Sequence, residues 1–272
     1  MSRKENDYFP KRIICLTEET TETLYLLGEE ERIVGISGFT VRPARARKEK
    51  PRVSAFTSAN IEKILNLNPD LVLGFSDLQA DIAAMLIREG VEVHIFNHRS
   101  VEGIFSMVAM LGSMVGASKK AIQWIETQKE RLRQISKEMA KYPKKPIVYF
   151  EEWDEPIITG IEWVSDLIEM AGGQEAFPEL ARKKLAKKRI IENPEDVIQR
   201  NPDIIIGSWC GKKFRPEKLK SREGWNQIKA VQNNFVFEIK SADILQPGPA
   251  AITDGFDQIH KIILEWHRQN SY

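Results

Sequence analysis

A stretch of sixteen residues occurs twice in this chain, and the repeat constrains the fold more than any other feature. The first copy, Asn60–Phe75, reads NIEKILNLNPDLVLGF, and the second, Asn193–Ser208, reads NPEDVIQRNPDIIIGS. The copies begin 133 residues apart and share Asn, Glu, Asn, Pro, Asp and Gly at matching offsets. Each predicts a short helix, a Pro-Asp turn and a buried strand. We therefore expect two structural units of one architecture.

The Pro-Asp pair explains how each copy changes from helix to strand. Pro69 and Pro202 are expected to stop the helix, because proline has no N–H to continue it. Asp70 and Asp203 are expected to accept hydrogen bonds from local backbone amides.

Outside the repeat, apolar runs alternate with helical patterns, which favours an α/β fold with parallel sheets covered by helices. The predicted strands are Arg12–Leu16, Arg32–Ser37, Asp70–Phe75, Val91–Phe96, Pro146–Phe150, Asp203–Ser208 and Phe235–Ile239. The predicted helices are Thr17–Leu27, a short one around Glu62–Leu67, Asp77–Glu89, Val101–Val115, Trp163–Met170, Glu195–Gln199, Gly224–Ile228 and Ala250–His267.

A long helix is predicted midway between the two copies. Ala117–Tyr142 has 26 residues without Gly or Pro, and Ile125, Leu132 and Met139 recur every seven residues. An ordinary packed helix is one interpretation, and a connecting strut is the other. With the strut, the domains are an N-terminal α/β lobe at 1–116, a connecting helix at 117–143 and a C-terminal α/β lobe at 144–272.

Composition excludes several classes of function. The formal net charge is +1, which gives no reason to expect nucleic acid as a partner. Cys15 and Cys210 lack metal-type spacing and are expected to be free thiols. The first ten residues lack the apolar region of a signal peptide, and no run is apolar enough for a transmembrane helix. The sequence as it stands predicts a cytoplasmic protein, or a periplasmic or cell-surface one if an export signal has been removed.

Residues for catalysis or metal binding are not grouped in the sequence. Of the four histidines, only His98 follows a strand, so a histidine-rich metal site is not expected. No phosphate-binding glycine motif and no nucleophile motif is present. The acidic run around Trp153, from Glu151 to Glu155, has no adjacent nucleophile. It is interpreted either as lining of a ligand cleft or as a loop.

Several segments together resemble ABC-transporter solute-binding proteins of the vitamin B12 and ferric-siderophore type. The resemblance covers most of 11–265. It lies in RIICLTEETTETLYLLGEEERIVGIS, PRVSAFTSANIEKILNLNPDLVLGF, GVEVHIF, PIITG, LIEMAGG, NPEDVIQRNPDIII and ILQPGPA. It implies two Rossmann-like lobes with central parallel sheets, joined by one long helix, and a ligand held in the cleft between the lobes.

The resemblance also assigns a role to the repeated glutamates. In the family a glutamate on each lobe pairs with arginines of the transporter membrane subunits, and the matching residues are Glu62 and Glu195. The alternative is that each is a solvated glutamate favoured by the positive end of its helix.

Ligands of open α/β sheets bind outside the carboxyl ends of strands, so the residues that follow strands are the candidates. Five of them are aromatic, which suits a large, flat ligand, although each could instead belong to the core. In the cobalamin-binding relatives that the resemblance implies, the positions that match Phe39, Phe56 and Phe75 carry Tyr or Trp. The candidate ligand-binding residues are Phe39, Phe56, Phe75, His98, Trp153, Trp209, Asp243 and Arg42.

Two departures from the family limit what the resemblance implies about the ligand. The loop after Phe39 carries Arg42, Arg45 and Arg47, which either form a solvated face or meet an anionic ligand. The family's PGPR ends here as PGPA, with Ala250 in place of an arginine.

The leading hypothesis is a non-catalytic, monomeric protein that binds a cobalamin- or siderophore-like molecule. Its partners would be that ligand and the membrane subunits of an ABC transporter, and no catalytic cofactor is expected. The alternatives are a cytosolic carrier or sensor, an enzyme that reuses the cleft, or a pure interaction protein.

Overall fold

The computed structural model describes residues 8–270, and the chain forms two compact units. The first unit runs up to His98 and resumes from Glu102 to Thr127. The second comprises Arg99–Val101 and the chain from Gln128 onward. The division along the chain therefore falls inside one helix, as well as at the start of the helix before it.

The first unit contains a five-stranded sheet in which every neighbouring pair is parallel. The strand order is β3-β2-β1-β4-β5, so the sheet is wound in both directions from β1. Its strands are β1 (Ile13–Cys15), β2 (Ile33–Ser37), β3 (Arg52–Ser54), β4 (Leu71–Phe75) and β5 (Val93–Phe96).

Helices connect these strands, as the predicted alternation requires. One side of the sheet packs Ile14, Val72 and Leu86 into a fully buried cluster. The helices are α1 (Glu18–Leu27), α2 (Ala46–Glu49), α3 (Ile61–Asn66), α4 (Ala80–Arg88), α5 (Val101–Met114) and α6 (Ser118–Met139), with 3₁₀ turns at Glu30–Arg32 and Asp77–Gln79.

The second unit contains a mixed sheet. β6 pairs in parallel with β8 and β9, β9 pairs in parallel with β10, and β7 runs antiparallel to β6. The sequence did not predict the antiparallel pair. The strands are β6 (Ile147–Asp154), β7 (Ile157–Thr159), β8 (Gln174–Glu175), β9 (Ile204–Gly207) and β10 (Val236–Glu238).

Many of the helices of the second unit are single turns. The predicted helix Gly224–Ile228 is a 3₁₀ turn, and the predicted helix from Ala250 begins with a π-helical turn at Ala251–Gly255. The elements are α7 (Glu162–Met170), α8 (Pro178–Ala181), α9 (Glu195–Arg200), α10 (Pro216–Lys220), α11 (Lys229–Gln232), α12 (Ser241–Ile244) and α13 (Phe256–Gln269), with 3₁₀ turns at Ala186–Lys188 and Trp225–Gln227.

The long helix α6 has 22 residues, fewer than predicted, because its last turn loosens at Met139 before Pro143 is reached. Its length is about 33 Å at 1.5 Å per residue. The predicted seven-residue spacing is observed, since Ile125, Leu132 and Met139 are all buried. Ile122, three residues before Ile125 on the same helix, is exposed.

Both copies of the repeat form the predicted helix, turn and strand. An asparagine with left-handed backbone follows each helix, Asn68 at φ 45° and Asn201 at φ 46°. Asparagine tolerates this conformation better than other residues with a Cβ, which explains why it precedes proline in both copies.

The two aspartates accept backbone hydrogen bonds, but the prediction that their donors are local is wrong. Asp70 accepts hydrogen bonds from the backbone N–H groups of Lys11 (2.7 Å) and Arg12 (2.9 Å) at the start of β1. Asp203 accepts one from the N–H of Ile147 (2.9 Å) at the start of β6. The partners are strand starts more than 50 residues earlier in the chain. Each aspartate therefore ties its strand to the neighbouring strand of the sheet.

Within residues 8–270, no helix combines the length and apolar character that crossing a lipid bilayer requires.

Candidate functional site

In the first unit, the strand ends next to β1 meet at one buried side chain, that of Gln79. Its Oε1 accepts a hydrogen bond from the N–H of Phe75 (2.9 Å), at the end of β4. Its Nε2 donates to the carbonyl oxygens of Leu16 (3.3 Å), after β1, and Phe56 (2.9 Å), beyond β3. The strand order reverses beside β1, and ligands of open α/β sheets bind at such points.

The repeated glycine of the first copy makes room for Gln79. A Cβ on Gly74 would lie 2.5 Å from Gln79 Oε1, a distance that real Cβ atoms do not show. Gln79 was not predicted from the sequence, because its partner Leu16 lies 63 residues away in the chain.

The aromatic candidates of the first unit differ in exposure. Phe75 is 7% exposed and packs edge-on against His98, with ring centroids 5.2 Å apart. Phe56 is half-buried, whereas Phe39 is 58% exposed and follows β2 directly. The structure therefore brings Phe75 and His98 together, links the backbones of Phe56 and Phe75 through Gln79, and leaves the Phe39 ring in solvent.

The loop that carries Phe39 and Arg42 is attached to the first turns of α1. Glu18 Oε2 accepts a hydrogen bond from the N–H of Val41 (2.6 Å), and Arg42 Nε donates to Glu22 (3.0 Å). Arg42 is thus engaged in an ion pair within the protein.

The other two arginines of the loop also have protein partners. Arg45 pairs with Glu30 (2.5 Å) and lies over the ring of Tyr25. Arg47 donates to the carbonyl oxygen of Gly38 (3.4 Å). The arginines of this loop therefore bind groups of the protein itself, and the loop also exposes part of its surface to solvent.

Glu18 and Glu19 are buried at the start of α1. Burial raises the pKa of Glu18 to about 8, and the negative charges of Glu22 and Glu19 add to this, against the Val41 hydrogen bond and Arg42, which lower it. Burial likewise raises the pKa of Glu19 to about 7, against a hydrogen bond from the Thr17 hydroxyl. Glu18 Oε1 is buried without a hydrogen-bond partner. A protonated Glu18 fits this environment better than a carboxylate.

In the second unit, Trp153 and Trp209 share one lysine. Lys212 Nζ lies 4.0 Å from the ring centroid of Trp153 and 5.0 Å from that of Trp209. Trp153 is half-buried and Trp209 is 3% exposed. The ammonium group thus occupies the faces that a stacking ligand would use.

A buried glutamate fixes the position of Trp209. Glu151 is fully buried and accepts hydrogen bonds from Trp209 Nε1 (3.0 Å), from the Tyr149 hydroxyl (2.9 Å) and from both terminal nitrogens of Arg222 (2.6 and 2.9 Å). Burial lowers the pKa of Arg222, but the hydrogen bond and charge of Glu151 outweigh it, so the pKa is raised. The network is satisfied and rigid, as a buried charge requires.

The acidic run around Trp153 is not a loop, since β6 continues through Asp154. Each carboxylate meets a cation. Glu152 pairs with Arg189 (2.6 Å), Asp154 with Lys212 and with Lys218 (2.9 Å), and Glu155 with Lys218 (2.8 Å). Together with Glu151 and Arg222, four carboxylates face four cations, so the negative charge at the end of β6 is balanced.

The repeated glycine of the second copy also makes room for a neighbour. A Cβ on Gly207 would lie 1.9 Å from the ring of Phe214, which in turn packs edge-on against Trp209 at 4.9 Å. The two copies therefore use the same glycine for different side chains, Gln79 in the first unit and Phe214 in the second.

Other candidates have different surroundings. Asp243 lies in α12, where its Oδ2 accepts a hydrogen bond from Gln258 (3.1 Å) of α13. Ala250, which replaces the family's arginine, is fully buried. Cys15 is buried in β1, and burial raises the pKa of its thiol to about 12. In the described part of the chain, no cluster of three or more His, Cys, Asp or Glu could hold a metal ion.

The repeated glutamates are both exposed and both lie in the first turn of a six-residue helix. Glu62 is in α3, which Asn60 caps by accepting from the N–H of Lys63 (2.8 Å). Glu195 is in α9, where its own N–H donates to Asn193 (3.1 Å). The two glutamates occupy matching positions of the repeat, and both are open to solvent.

The chain is similar to known proteins in sequence as well as in fold. The chain is 26% identical to an uncharacterized ABC transporter substrate-binding lipoprotein, YvrC of Bacillus subtilis, over 93% of this chain and 80% of that protein. It is 24% identical to the high-affinity heme uptake system protein IsdE of Staphylococcus aureus, over 84% and 79%.

Solved structures agree with this. A possible iron-binding periplasmic solute-binding protein of Staphylococcus epidermidis matches with a TM-score of 0.78 and 26% identity, over 93% of this chain and 98% of that one. The vitamin B12-binding protein BtuF of Vibrio cholerae matches with a TM-score of 0.75 and 22% identity, over 96% and 99%.

These features define a two-unit α/β protein of the solute-binding class. Residues 13–242 match the Periplasmic binding protein family, and the chain belongs to it. The resemblance to ABC-transporter solute-binding proteins and the predicted fold class are thereby confirmed, and so is the prediction of a non-catalytic protein.

Proposed function

We propose that this chain captures a large, ring-bearing ligand for an ABC uptake system, and that the ligand is of the corrinoid, heme or siderophore class. The observation that carries the proposal is the placement of aromatic side chains at the carboxyl ends of parallel strands in each unit. Trp153 and Trp209 are its clearest example, because both present ring faces to a single ammonium group. Names of relatives support the ligand class, since IsdE is a heme uptake protein and BtuF binds vitamin B12.

Local charge supports a mainly stacking mode of recognition. The cations and carboxylates around Trp153 neutralise one another, and Arg42 is paired with Glu22. A ligand would therefore gain most of its affinity from apolar area and ring contacts.

Isothermal titration calorimetry with hemin, cyanocobalamin and a ferric siderophore tests this directly. We expect one of the three to bind and Trp153→Ala to weaken it by about 1–3 kcal/mol, because a large aromatic contact is lost. Trp266→Ala, a half-buried tryptophan of α13, is the matched control and should leave affinity unchanged. Equal affinity of all three proteins would contradict the assignment of Trp153 to the site.

We also propose that Glu62 and Glu195 contact the membrane subunits of the transporter. Their exposure and equivalent helical positions support this. Uptake of the bound ligand by cells should fall with Glu62→Lys or Glu195→Lys, while ligand affinity in solution stays constant. Glu217→Lys, an exposed glutamate in the first turn of α10, is the control and should leave uptake unchanged.

The proposed location is outside the cytoplasm, at the membrane that holds the transporter. The related YvrC is described as a lipoprotein and the related structures as periplasmic proteins, which supports this location over the cytoplasmic alternative.

A further inference from the structure

One segment of the second unit is much more basic than the rest of the chain. Between Leu180 and Ile191 there are six cationic residues and no acidic one. Arg189 is buried, and the other five are exposed. We call residues 182–188 the basic turn. Its five exposed cations are Arg182, Lys183, Lys184, Lys187 and Lys188.

These five side chains have little compensation inside the protein. No ion pair to them is found among residues 8–270. The positive charge of Arg182 acts to lower the pKa of Asp166, but burial has the larger effect and raises it. They carry +5 in a chain whose net charge is +1, so all other residues together carry −4. These five charges lie within seven residues, with no acidic residue among them.

The basic turn is held in place by its ends and its own backbone. The N–H of Lys188 donates to the carbonyl oxygen of Leu185 (2.9 Å), and that of Lys183 to Leu180 (2.8 Å). Arg99 Nε donates to the carbonyl oxygen of Lys184 (3.3 Å). A turn that is ordered in advance loses less conformational entropy when it binds.

Arg189 fastens the end of the turn to the sheet. Its guanidinium pairs with Glu152 (2.6 Å) and also donates to the carbonyl oxygen of Thr159. The residue after it, Ile190, forms a bridge to Ile158 of β7. The buried Arg189 thus anchors the basic turn to the sheet, while the five other cations of the segment are exposed to solvent.

We infer that the basic turn is a contact surface for anionic phospholipid headgroups. Clusters of four to eight Lys and Arg beside a transmembrane helix or on an amphipathic helix are typical of segments that bind anionic bilayers, and the basic turn exposes five such residues. The inference rests on the proposed function in one respect, because that function places the protein next to a membrane.

A nucleic acid is the less favoured partner. Proteins that bind single strands stack bases on aromatic side chains, and the basic turn contains none. Nucleic-acid-binding domains are commonly basic throughout, with isoelectric points above about 9, whereas the value here is about 7.7.

Co-sedimentation with vesicles tests the inference. The probes are vesicles of equimolar phosphatidylglycerol and phosphatidylcholine, and vesicles of phosphatidylcholine alone. The wild-type chain should bind only the former, and binding should weaken as added salt shortens the Debye length from about 10 Å to about 3 Å.

The test variant replaces all five cations by glutamine, as R182Q/K183Q/K184Q/K187Q/K188Q. Each basic side chain near an anionic bilayer contributes about fivefold to partitioning, so the variant should lose on the order of 100-fold or more. The control, K129Q/K137Q/K141Q/K144Q/K145Q, changes net charge equally at exposed lysines elsewhere in the second unit. It should retain most of the binding.

Three results would overturn the inference. They are no binding of wild type to the anionic vesicles, equal losses in both variants, or tighter binding to a DNA oligonucleotide than to the vesicles. Circular dichroism on the same proteins shows whether a variant that has lost vesicle binding is still folded. Ligand calorimetry shows whether it still binds ligand. Loss of ligand binding in wild type with vesicle binding intact would count against the proposed function alone.

Discussion

Asn68 and Asn201 occupy the same position in the two copies of the repeat and adopt the same left-handed backbone, at φ 45° and 46°. Each follows a six-residue helix and precedes a proline and an aspartate whose carboxylate reaches the neighbouring strand. The two copies thus share backbone conformation as well as sequence.

Replacement of Asn68 by alanine should lower the free energy of unfolding by about 1–2 kcal/mol, because a Cβ residue other than asparagine is strained at this φ. Asn68→Gly should be close to neutral, since glycine has no Cβ. Urea unfolding followed by circular dichroism measures both. Equal stability of the alanine and glycine variants would show that backbone strain does not select asparagine here.

Asn201 should respond differently to glycine. Its Oδ1 also accepts a hydrogen bond from the N–H of Lys229 (2.9 Å), so Asn201→Gly removes an acceptor while it keeps the backbone unstrained. We expect a loss of about 1 kcal/mol in the same unfolding experiment, against little for Asn68→Gly. If both glycine variants are equally stable, the Lys229 contact contributes nothing.

Gln79 should be a large determinant of stability in the first unit. Gln79→Leu has similar size but leaves the Phe75 N–H and two carbonyl oxygens without partners, at about 1–3 kcal/mol for each group that stays buried. Thermal unfolding by calorimetry should show the loss. Gln123→Leu on the exposed side of α6 is the control, and a similar loss there would remove the special role of Gln79.

Glu18 should make stability depend on pH. Its pKa rises from 4.5 to about 8 on folding, so the native state holds a proton that the unfolded state releases. The stabilisation is complete below about pH 4.5 and is lost as the pH rises towards about 8, with a slope of at most about 1.4 kcal/mol per pH unit.

Glu18→Gln should make this decline shallower, because glutamine keeps the acceptor for Val41 N–H and does not titrate. Glu19, with a pKa of about 7, contributes in the same direction and remains in the variant. Urea unfolding at several pH values across this window measures the slope. An unchanged slope relative to wild type, with Glu62→Gln as control, would rule out titration of Glu18.

Lys212 should compete with the ligand. Its ammonium lies over both tryptophan rings, so a stacking ligand must displace it. Lys212→Gln should tighten binding of whichever ring-bearing ligand is identified, by roughly twofold to fivefold, as expected for an exposed cation–π contact. Asp154 keeps Lys218 as its partner.

Lys213→Gln is the matched control, since it removes the same charge from the adjacent exposed position. It should leave the calorimetric dissociation constant unchanged. Weaker binding in Lys212→Gln would mean that the lysine contacts the ligand instead.

Local chemistry made much of the fold predictable. The Asn-Pro-Asp sequence ends a helix and begins a strand through proline and the left-handed asparagine, which depend on adjacent residues only. The apolar runs around Val72 and Ile205 are long enough to indicate buried parallel strands. These features explain why both copies of the repeat were predicted correctly.

What the sequence did not reveal depends on distant partners. β6 extends through acidic residues because Arg189, Arg222, Lys212 and Lys218 neutralise them from later in the chain. Such compensation has no local pattern. The short helices from α8 to α12 are likewise too short for hydrophobic periodicity to detect.

The candidate ligand residues could be chosen from the sequence because they follow predicted strands. The contacts that these residues make by packing could not be predicted in the same way. Trp153 and Trp209 do share a neighbour, but Lys212 gave no signal in the sequence beyond its charge. The assignment of all eight candidates to ligand binding stays a prediction: Phe39, Phe56, Phe75, His98, Trp153, Trp209, Asp243 and Arg42.

The ring of Phe214 fills the space that any side chain at position 207 would need. The two positions can therefore change only in one order during evolution: Phe214 must shrink before Gly207 can acquire a side chain. Lineages that keep the phenylalanine cannot diversify the end of β9, and homologues with a bulkier residue there should be found with a smaller one at the partner position.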